Sequence, residues 1–349
     1  MDKINTMFVW IPRFKYKLFN VDGTVSPVGN PNMLDDYPID IKFETASTTK
    51  STGTQNGQWL THPAFTFGGQ ELEGFWMAKF ETGYKDATIT SEAEINTLDP
   101  TKIIVKPSVY SWRGIQVVNM YKNAQGMKEV SNPYGFTGNE DPHMAKNMEW
   151  GAMAYLTQSK YGKIGNGNYS STEKRIRTNV FKDRMTGCGS VLIATKVSDV
   201  CDTYETMNGQ AASTTGNITG IYDTAGGMAE YVTAVQRQAS GDIQVGESGF
   251  SQTELNRLGN EGKYFDVYLS NGSYDNYSEG KLGDATREMG PFSKNRSSWF
   301  NSFAYALAGN GSWIIRGASL TDFTTSGPAA FSCSNANAFS NTGYRITAL

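Results

Sequence analysis

Apolar positions in this chain fall in short alternating runs, separated by long stretches of Gly, Asn, Ser and Thr. That pattern predicts strands and loops with few helices. Residues 7–18 alternate, with Phe8 and Trp10 on one face and then Phe14, Tyr16 and Leu18. Within this run Arg13-Phe14-Lys15-Tyr16-Lys17 reads as a strand with one wet face. Residues 20–60 are mostly loop by composition. A further strand is predicted over Gly74-Phe75-Trp76-Met77-Ala78-Lys79-Phe80-Glu81 and another over Tyr264–Leu269. Helical spacing occurs twice. Ser111 as N-cap opens a helix running to about Lys122, with Ile115, Val118 and Tyr121 or Lys122 on one face. Asp141-Pro142 opens a second, with Met144, Met148, Ala152 and Tyr155 on one face and Gly162 as the stop. Gly226-Gly227, between Tyr222-Asp223 and Glu230-Tyr231-Val232, predicts a tight turn at positive φ. Two short helices among many strands indicate an α+β fold.

The last stretch, Trp313 to Leu349, has its own pattern. It opens on Trp313-Ile314-Ile315 and an Arg-Gly turn, and closes on Gly343-Tyr344-Arg345-Ile346. The residues between are small and polar, without helical period and with little strand alternation. The expectation is a surface loop tied down at both ends.

Composition narrows the function classes. The chain has 349 residues, 37 of them Gly, with 12% aromatics, and no linker or solenoid repeat divides it. One domain spanning 1–349 is expected. A net charge of −3 gives no global field toward nucleic acid or anionic membrane. No apolar run is long enough to cross a bilayer. Met7-Phe8-Val9-Trp10-Ile11 is too short for a signal-peptide core and meets Pro12 at once. Cys188 and Cys201 either pair across the intervening residues 189–200, leaving Cys333 single, or all three stay thiols. His62 and His143 are too isolated for a zinc site and read as surface or helix-end residues. Gly165-Asn166-Gly167-Asn168 lacks the lysine and the strand–helix setting of a phosphate loop and reads as a turn. No Gly-x-Ser-x-Gly elbow has a histidine partner, and no carboxylate pair stands out among many.

Several segments occur in a specific order: Phe8-Val9-Trp10-Ile11-Pro12, Gly74–Glu81, Lys146-Asn147-Met148-Glu149-Trp150-Gly151-Ala152, Gly220–Tyr231, Ile315-Arg316-Gly317-Ala318-Ser319 and Gly343-Tyr344-Arg345. Together they resemble the formylglycine-generating-enzyme (sulfatase-modifying factor) family, from about residue 7 to the C-terminus. The resemblance implies a C-type-lectin-like (formylglycine-generating-enzyme-like) fold with long loops, and with insertions at 84–140 and 236–300. The chain is most similar to the lectin-fold variable proteins of diversity-generating retroelements, which occur on phage tails and some bacterial surfaces. In that branch an Arg-Gly-Gly turn and a Gly-Phe-Arg end bracket fixed Gly, Phe and Asn-Ala positions. Here they correspond to Arg316-Gly317-Ala318, Gly327, Phe331, Asn337-Ala338 and Gly343-Tyr344-Arg345, with departures at Ala318 and Tyr344. Mutating adenines in Asn-type codons yields no Lys, Glu, Gln, Met or Trp. None of these occurs from Ala318 to Thr342, where average composition would place about five.

The family's oxidase chemistry needs two thiolates for Cu(I). The resemblance places those positions on Asp322 and Gly327, so oxidase activity is the least favoured expectation. Glu230, with carbonyls near Gly226 and Met228, corresponds to a calcium-site segment of the enzymes. Too few oxygens accompany it, so it is read as a hydrogen-bond acceptor and no cofactor is expected. The resemblance implies a non-enzymatic receptor-binding protein whose 313–349 region displays Ser319, Leu320, Thr321, Asp322, Phe323, Thr325, Pro328, Ala330, Ser332, Cys333, Ser334, Phe339 and Asn341. Leu320, Phe323, Pro328 and Phe339 either point into the core or form an exposed patch. The implied partners are a bacterial surface protein or glycan and other phage tail or fibre proteins, with a homotrimer by analogy. The implied location is the virion or an extracellular surface, with a bacterial adhesin as the alternative bearer of the scaffold.

Overall fold

The computed structural model describes residues 4–23, 38–129, 131–163, 175–192, 195–270, 279–290, 311–322 and 326–349. The Gly165–Asn168 turn, Phe323 and Thr325 lie outside them. The described chain is mixed α and β, mostly sheet with few helices. In chain order the strands are β1 (Phe8–Pro12), β2 (Phe14–Lys17), β3 (Ile41–Phe43), β4 (Trp59–Thr61), β5 (Thr66–Phe67), β6 (Gln70–Glu71), β7 (Gly74–Ala78), β8 (Gly83–Tyr84), β9 (Ile103–Ile104), β10 (His143–Met144), β11 (Ala229–Arg237), β12 (Asp266–Leu269), β13 (Trp313–Gly317), β14 (Gly327–Ser334), β15 (Thr342–Tyr344) and β16 (Ile346–Ala348). The α-helices are α1 (Val117–Gly126), α2 (Asn147–Thr157), α3 (Met207–Gln210) and α4 (Gln252–Glu261). None of them is long and apolar enough to cross a membrane.

Two sheets organise the rest. One runs β1-β7-β16-β10, so strands from both ends of the described chain share a ladder. The other runs β12-β11-β13-β14, and β15 pairs with β11 beyond the end of β12. Strand β11 is buried along nearly its whole length. Its period of two feeds two cores: Val232 and Ala234 join one, while Tyr231 and Val235 join the other. Neighbouring β13 divides the same way, with Ile314 on the first side and Trp313 on the second. Helix α2 packs on the first side, where its Trp150 and Tyr155 share a core with Phe331 and Ala329 of β14. Both cores carry many aromatic rings among aliphatic and small side chains. In the second, Phe250, Phe265 and Trp313 stack or meet edge-on with centroids 5.8–6.1 Å apart.

Strand β2 has the expected wet face, with Phe14 and Tyr16 buried and Lys15 and Lys17 outward. Gly226 and Gly227 take φ of 77° and 71°, as a tight turn requires. Cys188 and Cys201 form a disulfide, and Cys333 stays outside it as a thiol.

Four expectations are overturned. Helix α1 starts at Val117 with Gln116 as its cap. Ser111 is buried upstream in extended backbone, its N–H bonded to the Arg184 carbonyl and its hydroxyl to the Glu81 carboxylate. Helix α2 starts at Asn147 and ends at Thr157, short of Gly162. The Asp141 side chain is taken by Lys263, Lys128 and Tyr264, and Met144 pairs with Ile346 in a strand. Both histidines are fully buried, which removes the surface alternative, while His62 is a helix-end residue as the other alternative had it. His62 caps a short 3-10 turn, accepting from the Ala64 N–H, and its Nε2 lies 2.9 Å from the Gly283 carbonyl. Burial drives its pKa down to about 3. His143 is wedged between the Asp141 carbonyl, Glu149 and Thr347. Finally, the middle of the C-terminal stretch is no loop: β14 pairs with β13 over most of its length. Small residues let β14 lie close on α2, where Trp150 Nε1 donates to the Pro328 carbonyl at 2.7 Å.

Candidate functional site

Strands β13 and β14, the turn after β13 and the segment leading into β15 enclose a cavity of about 320 Å3. Its lining is Ala229, Ile315, Ala318, Asp322, Ala330, Phe331, Ser332, Cys333, Ser334, Phe339, Asn341 and Thr342. Most of these come from the last 35 residues of the chain, folded over the outer edge of the larger sheet. Alternation along β13 places Ile315 toward the cavity and Arg316 toward α2, while β14 turns Ser332 and Ser334 partly outward.

Main-chain bonds hold this region. Leu320 N donates to Gly227 O at 2.9 Å, Ala229 N to Asn341 O at 3.0 Å, and Gly114 N to Phe339 O at 3.0 Å. Each fixes the backbone without consuming a side chain. Phe339 shows the result: its carbonyl is held, while its ring is 43% exposed. After β13 the chain turns at Gly317 (φ 79°) and Ala318 (φ 62°), the latter a left-handed conformation that favours glycine. Asp322 Oδ2 then accepts from Ser319 N at 2.6 Å and Ser319 Oγ at 2.7 Å, which closes the turn.

Beneath the cavity lies a charged frame. Arg316 is fully buried between the Trp150 and Phe331 rings, at 5.8 and 5.5 Å, and donates to Pro328 O at 3.2 Å. Burial lowers its pKa to about 10. Arg345 grips Glu230 through Nε and Nη2 and also reaches the carbonyls of Ala78 and Tyr222. Glu230 is thus a buried hydrogen-bond acceptor. Desolvation raises its pKa to about 7 against the pull of Arg345. Glu81 and Asp223 are buried nearby; desolvation raises the proton affinity of both, and the Asp223 and Glu230 charges raise that of Glu81 further. Among the described residues, no group of three or more His, Cys, Asp or Glu side chains has the arrangement of a metal site.

Of the residues expected to form the display surface, Asp322, Ala330, Ser332, Cys333, Ser334, Phe339 and Asn341 meet around the cavity. Thr321 is exposed beside it. Ser319, Leu320 and Pro328 are buried and outside its lining. The Ser319 hydroxyl is spent on Asp322, the Leu320 side chain is buried, and the Pro328 carbonyl serves Trp150 and Arg316. Ala338, expected as frame, is exposed. Ala229, Ile315, Ala318, Phe331 and Thr342 line the cavity although the sequence marked them as scaffold or not at all. Ala229 carries no local signal, because it reaches the site only through the β11–β15 pairing. The Cys333 thiol is pushed up to about 12 by burial, and Gln236 Nε2 lies 3.2 Å from it, so it is a poor nucleophile.

The chain is therefore a mixed α+β protein whose C-terminal strands build a rigidly held cavity of small, hydroxyl-bearing and aromatic side chains. No known family model matches it, and a comparison with curated proteins gives no match.

Proposed function

We propose that the protein is a non-enzymatic receptor binder on a C-type-lectin-like, formylglycine-generating-enzyme-like scaffold. It presents the cavity at its C-terminal strands to a protein or glycan on a bacterial surface, at a phage tail tip. The observation that carries this reading is the cavity itself. Side chains of the kind that tolerate replacement converge on it, while main-chain bonds and a buried Arg316–Trp150–Phe331 stack hold the backbone. A binding surface that varies between copies needs that division of labour. Phe339 supplies an exposed aromatic anchor among Ser, Thr and Asn neighbours, a composition suited to recognition. The Cys188–Cys201 disulfide supports work outside a reducing cytoplasm.

Two tests bear on the reading. The DNA encoding 318–342 is expected to have a near-copy beside a reverse-transcriptase gene, differing at adenines. Labelled protein is expected to bind whole cells of a susceptible bacterium, and Phe339→Ala, at an exposed side chain, to abolish that binding with the melting temperature nearly unchanged. A variant that binds as the wild type does would remove the cavity from the binding surface.

A further inference from the structure

Away from the cavity, four large aromatic side chains stand together at the surface. Trp10, Phe43, Trp76 and Tyr161 are 39%, 46%, 45% and 43% exposed. Trp10 and Trp76 lie directly opposite each other across the β1–β7 ladder, with ring centroids 5.1 Å apart. Phe43, at the end of β3, meets Tyr161 beyond α2 at 4.7 Å. Trp10, Phe43 and Tyr161 border a groove of about 160 Å3 floored in part by Met153 and Leu156 of α2. Clustered exposure of this kind marks an interaction site in a folded protein, because isolated apolar side chains are common at surfaces and contiguous patches are not.

The groove's chemistry specifies its occupant. Among the described residues that line it there is no Asp, Glu, Lys, Arg or His. Lys160 Nζ sits 5.0 Å from the Tyr161 ring centroid, outside the lining, so a charged ligand group within the groove itself would lose its hydration without a partner there. Thr214 and Thr215 bring hydroxyl groups to the lining, and Thr214 Oγ1 accepts from Ile221 N at 3.0 Å, which leaves its proton for another acceptor. The ring pairs are tilted at 57° and 48°, so the two rings of each pair are not stacked face to face on one another, and all four side chains stay partly exposed. Ring faces carry negative potential and take polarised C–H groups well. A ligand with flat C–H faces, hydroxyl edges and no charge satisfies all three features. We propose that this groove is a second binding site, for a neutral hexopyranose glycan, and that it is independent of the cavity at the C-terminal strands.

Calorimetric titration of the full chain with hexa-N-acetylchitohexaose and with maltohexaose, followed also by tryptophan fluorescence, tests this. At least one of these neutral hexasaccharides is expected to bind and to perturb the emission. Trp10→Ala and Trp76→Ala are each expected to weaken binding by about tenfold or more, with near-UV circular dichroism retained outside the lost indole. Phe339→Ala is expected to bind these sugars as the wild type does, so this result stands or falls apart from the cavity. The proposal is overturned if neither sugar binds, or if both tryptophan variants bind unchanged. Self-association of the chain that Trp10→Ala abolishes, without sugar binding, would assign the patch to a second copy and overturn it equally.

Discussion

Arg345 shows what a single side chain does in this protein. It lies one residue from the end of β15, fully buried, and its guanidinium ties the C-terminal segment to β7, to Tyr222 and to Glu230 of β11. The pair is more than a weak surface bridge, because neither partner has water to fall back on. Replacing Arg345 with Ala leaves Glu230 buried and unpaired, and the expected loss is about 3–5 kcal/mol in urea denaturation at pH 8. The loss is expected to shrink at pH 5. Glu230 is raised to about 7 even with Arg345 present, and without it the carboxyl takes up a proton more readily still. Equal losses at both pH values would refute that account. In the sequence, Gly343-Tyr344-Arg345 was legible as a tie at the chain's end. Which carboxylate it holds was not, since Glu230 is 115 residues away. Ala318 is a similar case. Its identity signals nothing locally, yet it carries a φ of 62° beside Gly317, because the turn out of β13 demands it.

At the scale of elements, the segment around the disulfide relies least on regular structure. Residues 175–204 contain no named strand or helix among those described, and hold through isolated bridges such as Cys188–Thr203 and Thr178–Val191. The cross-link between residues 13 apart therefore removes chain entropy that little else there constrains. Replacing both cysteines with serine is expected to cost about 3 kcal/mol and to expose the segment to proteases first. Denaturation that matches the wild type would show that the bridges alone suffice. Elements were legible in the sequence where the hydrophobic period was clean, as in β1, β2, β7 and β13. They were misplaced where a capping signal was present but committed elsewhere. Ser111 and Asp141 both look like helix starts, and both spend their side chains on tertiary partners. Strand β14 was missed because Gly327–Ser334 is paired on one edge and pressed on α2, so it needs small residues more than alternation.

Across the whole molecule, buried carboxyls shape the response to pH. Glu288 accepts from Tyr16, Tyr155 and the Gly283 N–H, yet burial raises it to about 7. Glu230 is raised to about 7, and Glu81 is raised too by burial and by Asp223 and Glu230. Each favours the folded state below its unfolded pKa of about 4.5 and loses that contribution as pH rises through the raised value. His62 acts oppositely. Lowered to about 3, it costs stability as pH falls below about 6.5. Three carboxyls outweigh one imidazole, so the melting temperature is expected to fall as pH rises from 5 to 7. Lys163, lowered to about 7 by burial, opposes the trend only above that window. Glu288→Gln keeps a neutral acceptor and is expected to flatten the profile, removing on the order of 3 kcal/mol of pH-dependent stability. A melting temperature that rises over this range, or a Glu288→Gln profile as steep as the wild type's, would contradict the assignment.

By itself the sequence determined the α+β class, the aromatic character of the core, the turn at Gly226-Gly227 and the two ties at the ends of 313–349. These follow from local period, glycine and bulk, which act over a few residues. It also picked out seven of the twelve residues that line the cavity, through the resemblance of the 313–349 stretch and its run of residues between two apolar ties. Tertiary structure alone decided that β14 is a strand and that Ser319, Leu320 and Pro328 turn inward. It likewise decided that His62 and His143 are core residues, and that Ala229 reaches the site. Most of those outcomes depend on what packs against the segment from far along the chain, as α2 does on β14 and Gly283 on His62, and burial and hydrogen-bond partners at that range have no signature in the local pattern.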